Sequence, residues 1–332
     1  MNGILPWQGQ QWRQLQERHA AGRLPHALLL AGVAGTGKRQ FATSLAGALL
    51  CRYRKGEGFA CGDCPACIRF RAGSHPDFMA LHPRDEGRAI TVDQARAVGE
   101  FLAVKSHYEG GRVVLLAPAE SLNRAAANCL LKTLEEPAPD TLLLLVTNRP
   151  GALPATIRSR CQQVGFAPPA RHVALEWLAS HAEVAQGEGE LLLDLAAGAP
   201  LEALRLAGEG VLERRAQMLE EFGQLSAGRL DPVPVARLWL ERGDAAQALF
   251  WLSSWVLDIL RLKQSRRPPL LANRDRVDLL GEIARYTDSV ELVRYLERVV
   301  QLRHQGQIAL NMQLQLEELL VAWSALAGVV RR

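Results

Sequence analysis

Four cysteines between residues 51 and 67 form the densest group of metal-ligating side chains in the chain. Cys51, Cys61, Cys64 and Cys67 are interspersed with Gly56, Gly58, Gly62 and Pro65, which permit tight turns. Four thiolates suit one tetrahedral zinc ion, and a site with four protein ligands is closed and therefore structural. An iron–sulfur cluster also takes four thiolates, and unrelated free thiols are the third reading. Nothing else in the chain suggests redox chemistry, so zinc is the expectation. Cys129 and Cys161 lie outside the group and read as ordinary buried thiols.

A second stretch could bind phosphate. Gly32, Gly35, Gly37 and Lys38 follow the apolar run Leu28-Leu29-Leu30-Ala31, with Gly32, Gly37 and Lys38 at the spacing G-x-x-x-x-G-K. Such a loop cradles phosphate because glycines let backbone N–H groups close on it at a helix N-terminus, with a lysine adding charge. The next residue should be Ser or Thr, whose hydroxyl holds magnesium, but here it is Arg39. A hydrolytic loop also needs an acid at the end of a second strand. The strand read at residues 112–116 ends in Ala117-Pro118-Ala119-Glu120, with Glu120 three residues too late and expected to start the next helix. Two magnesium ligands are missing, so the loop is expected to persist as a turn of the fold, with any phosphate binding by Lys38 weak.

Two further stretches carry charge. Leu130-Leu131-Lys132-Thr133-Leu134-Glu135-Glu136-Pro137 reads as the end of an amphipathic helix with an acidic last turn, which the helix macrodipole disfavours. Ser159-Arg160-Cys161 follows the last buried strand. Taken alone, the acids are a solvated face and Arg160 a surface charge.

The elements that must position these residues follow from periodicity. Apolar strands are read at residues 28–31, 77–81, 112–116 and 142–146, alternating with helices. Fully apolar strands between helices imply a parallel sheet covered on both faces, with ligands at the strand carboxyl ends. Residues 7–21 read as a surface helix with scattered apolar positions, and Ser121 as the cap of the helix that Pro137 ends. Beyond Ala167-Pro168-Pro169-Ala170 the pattern is helical: short helices broken at 187–189 and 198–200, then stripes through Leu249, Leu252, Val256 and Ile259 and through Ile308, Met312, Leu316, Leu319 and Trp323. Arg266-Arg267-Pro268-Pro269 reads as an exposed loop.

The chain's 332 residues, 48% apolar and 22% charged, are ordinary for a globular protein of two or three domains. A net charge of +4 does not by itself imply nucleic acid. No apolar run approaches a membrane span, and the first ten residues lack the n- and h-regions of a signal peptide. Six cysteines in such a chain fit reduced thiols or metal ligands, and the expected compartment is the cytoplasm.

Taken in order, these stretches resemble a bacterial clamp-loader subunit of the AAA+ family. Residues 27–38 resemble its P-loop and Cys51–Cys67 its zinc module. Residues 130–137 resemble a signature of the loader subunits, and Ser159-Arg160-Cys161 their Ser-Arg-Cys motif. The resemblance covers most of residues 1–207, and the helical remainder is similar in character to the loader's collar. It implies an α/β AAA+ core with zinc insertion over residues 1–166, a small helical lid over 167–207, and an all-helical oligomerisation collar over 208–332.

The resemblance also implies that Arg160, flanked by Ser159 and Cys161, is an arginine finger aimed at a neighbour's ATP site. The family's motor subunits carry Lys-Thr and Asp-Glu where this chain has Lys38-Arg39 and Ala117-Pro118, and a lid arginine where it has Leu201. The pattern is similar to a subunit that binds no nucleotide of its own, does not hydrolyse ATP and completes a neighbour's site. Its implied partners are gamma/tau-type motor subunits and a delta-type subunit in a hetero-oligomeric ring, the sliding clamp, and primed DNA, with no membrane. The alternatives are an active gamma/tau-type ATPase, which the missing magnesium ligands oppose, and a zinc-dependent DNA-binding module. The cysteine segment has few basic residues to serve the latter beyond Arg52, Arg54 and Lys55.

Overall fold

A computed structural model describes residues 3–85, 87–108, 110–208, 210–243, 245–265, 267–305 and 312–328. Ile308 and Arg266 lie outside the described residues. The chain divides into two compact units, residues 1–173 and 174–332.

The first unit is built on a five-stranded parallel sheet: β1 (Ala27–Ala31), β2 (Phe78–Leu81), β3 (Arg112–Leu116), β4 (Thr141–Thr147) and β5 (Gln162–Gly165), in the order β2-β3-β4-β1-β5. Alternate residues of the inner strands serve opposite faces. Leu29, Val114, Leu143 and Leu145 meet one apolar layer, while Leu28, Leu30, Val113, Leu115 and Leu144 meet another. Burial on both faces is why β1 and β3 are apolar throughout. The helices of this unit are α1 (Gly9–Ala20), α2 (Lys38–Leu50), α3 (Pro65–Arg71), α4 (Val92–Ala103), α5 (Arg124–Glu135) and α6 (Ala155–Arg158).

The strand β5 was not legible in the sequence. It pairs with β1 at the sheet edge, with Leu28 opposite Gln162, and its residues are exposed or half-exposed. Three other expectations are corrected. Trp12 and Leu15 make α1 a core helix on one side, with Trp12 fully buried and stacked on Phe59 at 4.5 Å. The cap of α5 is Asn123, whose side chain accepts from Ala126 N at 2.8 Å. Ser121 instead lies in the short 3-10 turn Ala119–Ser121, as does Glu120.

In residues 174–332 every described element is helical. Most of α7 (Arg171–Ala179) belongs here, followed by α8 (Gly189–Leu195), α9 (Pro200–Ala207), α10 (Val211–Ser226), α11 (Pro232–Arg242), α12 (Ala245–Gln264), α13 (Val277–Tyr286), α14 (Ser289–Gln305) and α15 (Met312–Gly328). The breaks at Gly189 and Pro200 fall where the sequence placed them, and Pro200 starts α9 where its missing N–H costs nothing. Leu249, Leu252, Val256 and Ile259 are buried together around Trp239, Trp255 and Trp323. The parallel α/β core with a cysteine insertion, followed by helices, is the fold class the sequence implies.

Candidate metal, loop and arginine sites

The cysteine insertion joins α2 to α3. Cys51 follows the last turn of α2, and Cys64 caps α3 by accepting from Cys67 N at 3.5 Å. Between them Lys55 and Phe59 pair as a short antiparallel bridge, and Gly56, Gly58 and Gly62 adopt positive φ. All four sulfurs lie within 4.8 Å of one another and are buried, with Cys51–Cys64 at 4.0 Å and Cys61–Cys67 at 3.9 Å. A Zn–S bond of about 2.3 Å places tetrahedral sulfurs roughly 3.8 Å apart, so these residues fit one such ion. A cluster spreads its thiolates over several irons and needs them farther apart. The sulfurs also stand too far apart to be disulfides.

Backbone donors surround the thiols. Cys61 N reaches Cys51 Sγ at 3.2 Å and Cys64 N reaches Cys61 Sγ at 3.4 Å. The backbone N–H groups of Asp63 and Cys64 hold the Cys61 thiol down to about 6, whereas burial pushes Cys51 and Cys67 up. A bound cation would favour all four thiolates.

The glycine loop has the backbone of a phosphate cradle, and N-terminal residues pack against it. Gly35 and Gly37 adopt φ of 78° and 85°. A Cβ on Gly37 would overlap Leu5 Cδ1 and stand 2.7 Å from Gln8 Nε2, and one on Gly32 would overlap the carbonyl of Phe166. The N-terminal residues also cover the loop through hydrogen bonds: Trp7 Nε1 and Gln8 Nε2 donate to Thr36 O at 3.1 and 3.0 Å. Lys38 is turned inward, its ammonium donating to Val33 O at 2.6 Å and to Thr36 Oγ1 at 3.5 Å. Burial lowers its pKa from 10.5 to about 8, partly offset by the negative charge of Glu120. Glu120, which the sequence placed at a helix start, accepts from Asn148 N at 3.1 Å. It thereby ties the end of β3 to the end of β4. Arg39 is exposed.

The third place brings two motifs together. Arg160 lies between α6 and β5, while its neighbour Cys161 is buried, its thiol raised to about 11 by that burial. The guanidinium Nη2 meets Glu135 Oε1 at 2.6 Å, and Nη1 donates to Thr156 O at 3.1 Å and Ser159 Oγ at 3.3 Å. Glu135 is the last residue of α5, and the sequence alone makes it part of a solvated face. Neither its pairing with Arg160 nor the packing of Leu5, Trp7 and Gln8 against the glycine loop was legible from residue types; both are contacts between distant segments. The structure leaves the metal, loop and arginine as three separate places, and Arg160 has no partner in the glycine loop among the described residues.

Comparison with known proteins supplies the family. Residues 7–170 match the family model described as "DNA polymerase III, delta subunit", and residues 209–325 the one described as "DNA polymerase III, delta subunit, C terminal". The chain is 39% identical to DNA polymerase III subunit delta' of Pseudomonas aeruginosa, over 99% of both chains. It is 32% identical to the Escherichia coli subunit of that name, over 95% of this chain and 94% of the relative. DNA polymerase III subunit tau of Bacillus subtilis is 28% identical over 86% of this chain and 50% of its own length. Among solved structures, a gamma subunit-related protein of DNA polymerase III from Thermotoga maritima is a distant likeness, with TM-score 0.48 and 18% identity over 96% of this chain and 99% of that one. With full-length relatives above 30% identity, this chain belongs to the delta-prime subunit family of DNA polymerase III.

Proposed function

We propose that this chain is a non-hydrolysing subunit of the DNA polymerase III clamp loader that supplies Arg160 to a neighbouring subunit's ATP site. A contrast within one unit of the chain supports this role. Lys38 is buried in a loop covered by Leu5 and Gln8, whereas Arg160 is held by its own chain with its side chain 36% exposed. The residue that would serve a nucleotide in this chain is engaged internally, and the one that would serve a nucleotide elsewhere is accessible.

Phosphoryl transfer builds negative charge on the transferred group, and a planar guanidinium from a neighbour stabilises it. Arg160 is flanked by Ser159, whose N–H donates to Ala155 O at 2.9 Å, and by Cys161, which is buried in the core. Zinc held by Cys51, Cys61, Cys64 and Cys67 would brace the insertion structurally and supply no step of the reaction. Residues 167–207 would form the lid and 208–332 the collar that holds a ring with gamma/tau-type and delta-type subunits. The ring would open the sliding clamp and close it on primed DNA, in the cytoplasm.

The test is ATP turnover by the purified chain. The reading expects none above background, with nucleotide affinity weak and little changed by magnesium. Steady-state hydrolysis that disappears in Lys38→Ala would establish an active motor instead. Tight, salt-resistant binding of primed DNA by the chain alone would favour a DNA-binding module.

A further inference from the structure

We propose that Glu135 is a positioning residue for Arg160, holding its guanidinium ready for a phosphate supplied by the neighbouring subunit. The inference rests on the reading of Arg160 as a residue acting in trans. It gives a physical role to the acidic end of α5, which the metal and loop sites leave unused.

A carboxylate in the last turn of a helix faces the negative end of the macrodipole, which a cation nearby offsets. Glu135 finds it 25 residues later in sequence, through the 2.6 Å contact with Arg160 Nη2. Both side chains are partly exposed, 49% for Glu135 and 36% for Arg160, and such a pair adds little to fold stability. Its consequence is conformational. A long arginine side chain beside a four-residue helix would sample many rotamers, and each hydrogen bond to its own chain removes some of them.

The donor count bears on whether this arrangement blocks the arginine or prepares it. A guanidinium has five N–H donors. Contacts with Thr156 O, Ser159 Oγ and Glu135 Oε1 use three of them among the described residues. The Nε hydrogen and one Nη2 hydrogen remain, enough for a two-donor grip on a phosphate. Arg160 can therefore meet a phosphate while keeping all three contacts. Thr156 and Ser159 hold one end of the fork and Glu135 the other, so removing Glu135 frees the end nearer the remaining donors.

The experiment uses the complex reconstituted with its partner subunits, with ATP and primed DNA, carrying Glu135→Ala, Glu135→Gln, Arg160→Ala or the Glu135→Ala/Arg160→Ala pair. Misplacement of a catalytic group by about 1 Å can cost up to ~100-fold. Glu135→Ala is expected to lower kcat for DNA-stimulated turnover roughly threefold to tenfold, with KM for ATP little changed. Glu135→Gln, which keeps an acceptor oxygen, should retain part of the rate. Added to Arg160→Ala, the Glu135 change should cause no further loss, because its effect passes through the arginine. Equal loss in both backgrounds, or an unchanged rate, would overturn the proposal. A faster Glu135→Ala complex would also overturn it, by showing that the carboxylate holds the arginine back. If Arg160→Ala alone turned over normally, the trans-acting reading itself would fall.

Discussion

The ammonium of Lys38 donates to the carbonyl of Val33 across 2.6 Å, so the lysine of the glycine loop is spent on the loop itself. This inward turn has a pH signature. Burial lowers the folded-state pKa from 10.5 to about 8. Below about 8 the lysine is protonated in both folded and unfolded chains, and its contribution does not vary with pH. Between about 8 and 10.5 the unfolded chain binds the extra proton, so stability rises with pH across that window. Relative to Lys38→Met, the natural chain should gain stability from pH 8 to pH 10.5, measured by denaturant unfolding. A constant difference between the two would show that the ammonium is solvated.

Gly37 should tolerate no side chain. Its φ of 85° is left-handed, and a Cβ there would overlap Leu5. Gly37→Ala is expected to destabilise the chain by about 1–3 kcal/mol. Adding Leu5→Ala should cost less than the two single changes summed, because the truncated Leu5 no longer meets the new methyl. Additive losses in thermal unfolding would mean that the N-terminal residues do not cover the loop in solution.

The cysteine geometry predicts one zinc per chain. Cys64→Ser should release it, since Cys64 is both a ligand and the cap of α3. The damage should centre on residues 51–67, read as faster amide exchange there than in the helices of residues 174–332. Iron by elemental analysis, or metal-free protein with an ordered insertion, would contradict the structural zinc.

Much of this architecture was legible in the sequence because it rests on local pattern. The three inner apolar strands β1, β3 and β4, the α12 stripe and the cysteine spacing need only periodicity and residue type. What was missed depends on distant segments. The edge strand β5 is Gln162-Gln163-Val164-Gly165, exposed enough to carry no apolar signature, and only its pairing with β1 makes it a strand. Trp12 sits in a polar helix, yet stacks on Phe59 and donates to Glu57 O at 3.0 Å, contacts supplied by the cysteine insertion. The missing Ser or Thr at Arg39 and acid at Ala117 were visible as residue types. The inward Lys38 and the Glu135–Arg160 pair required the fold.

In the proposed role this chain acts on ATP through Arg160 and in a neighbour's site. The most direct measurement compares DNA-stimulated ATP turnover and clamp loading by complexes containing the natural chain, Arg160→Ala or Arg160→Lys. A trans arginine can be worth roughly 10³–10⁵ in rate at one site, diluted in a ring with several sites. Arg160→Ala should leave folding, metal content and assembly intact, since the residue is partly exposed. Turnover and loading should both fall, and Arg160→Lys should restore them incompletely, because a point charge lacks the planar fork. An assembled Arg160→Ala complex that hydrolysed ATP and loaded clamps at the natural rate would contradict the account and leave Arg160 a surface charge paired with Glu135.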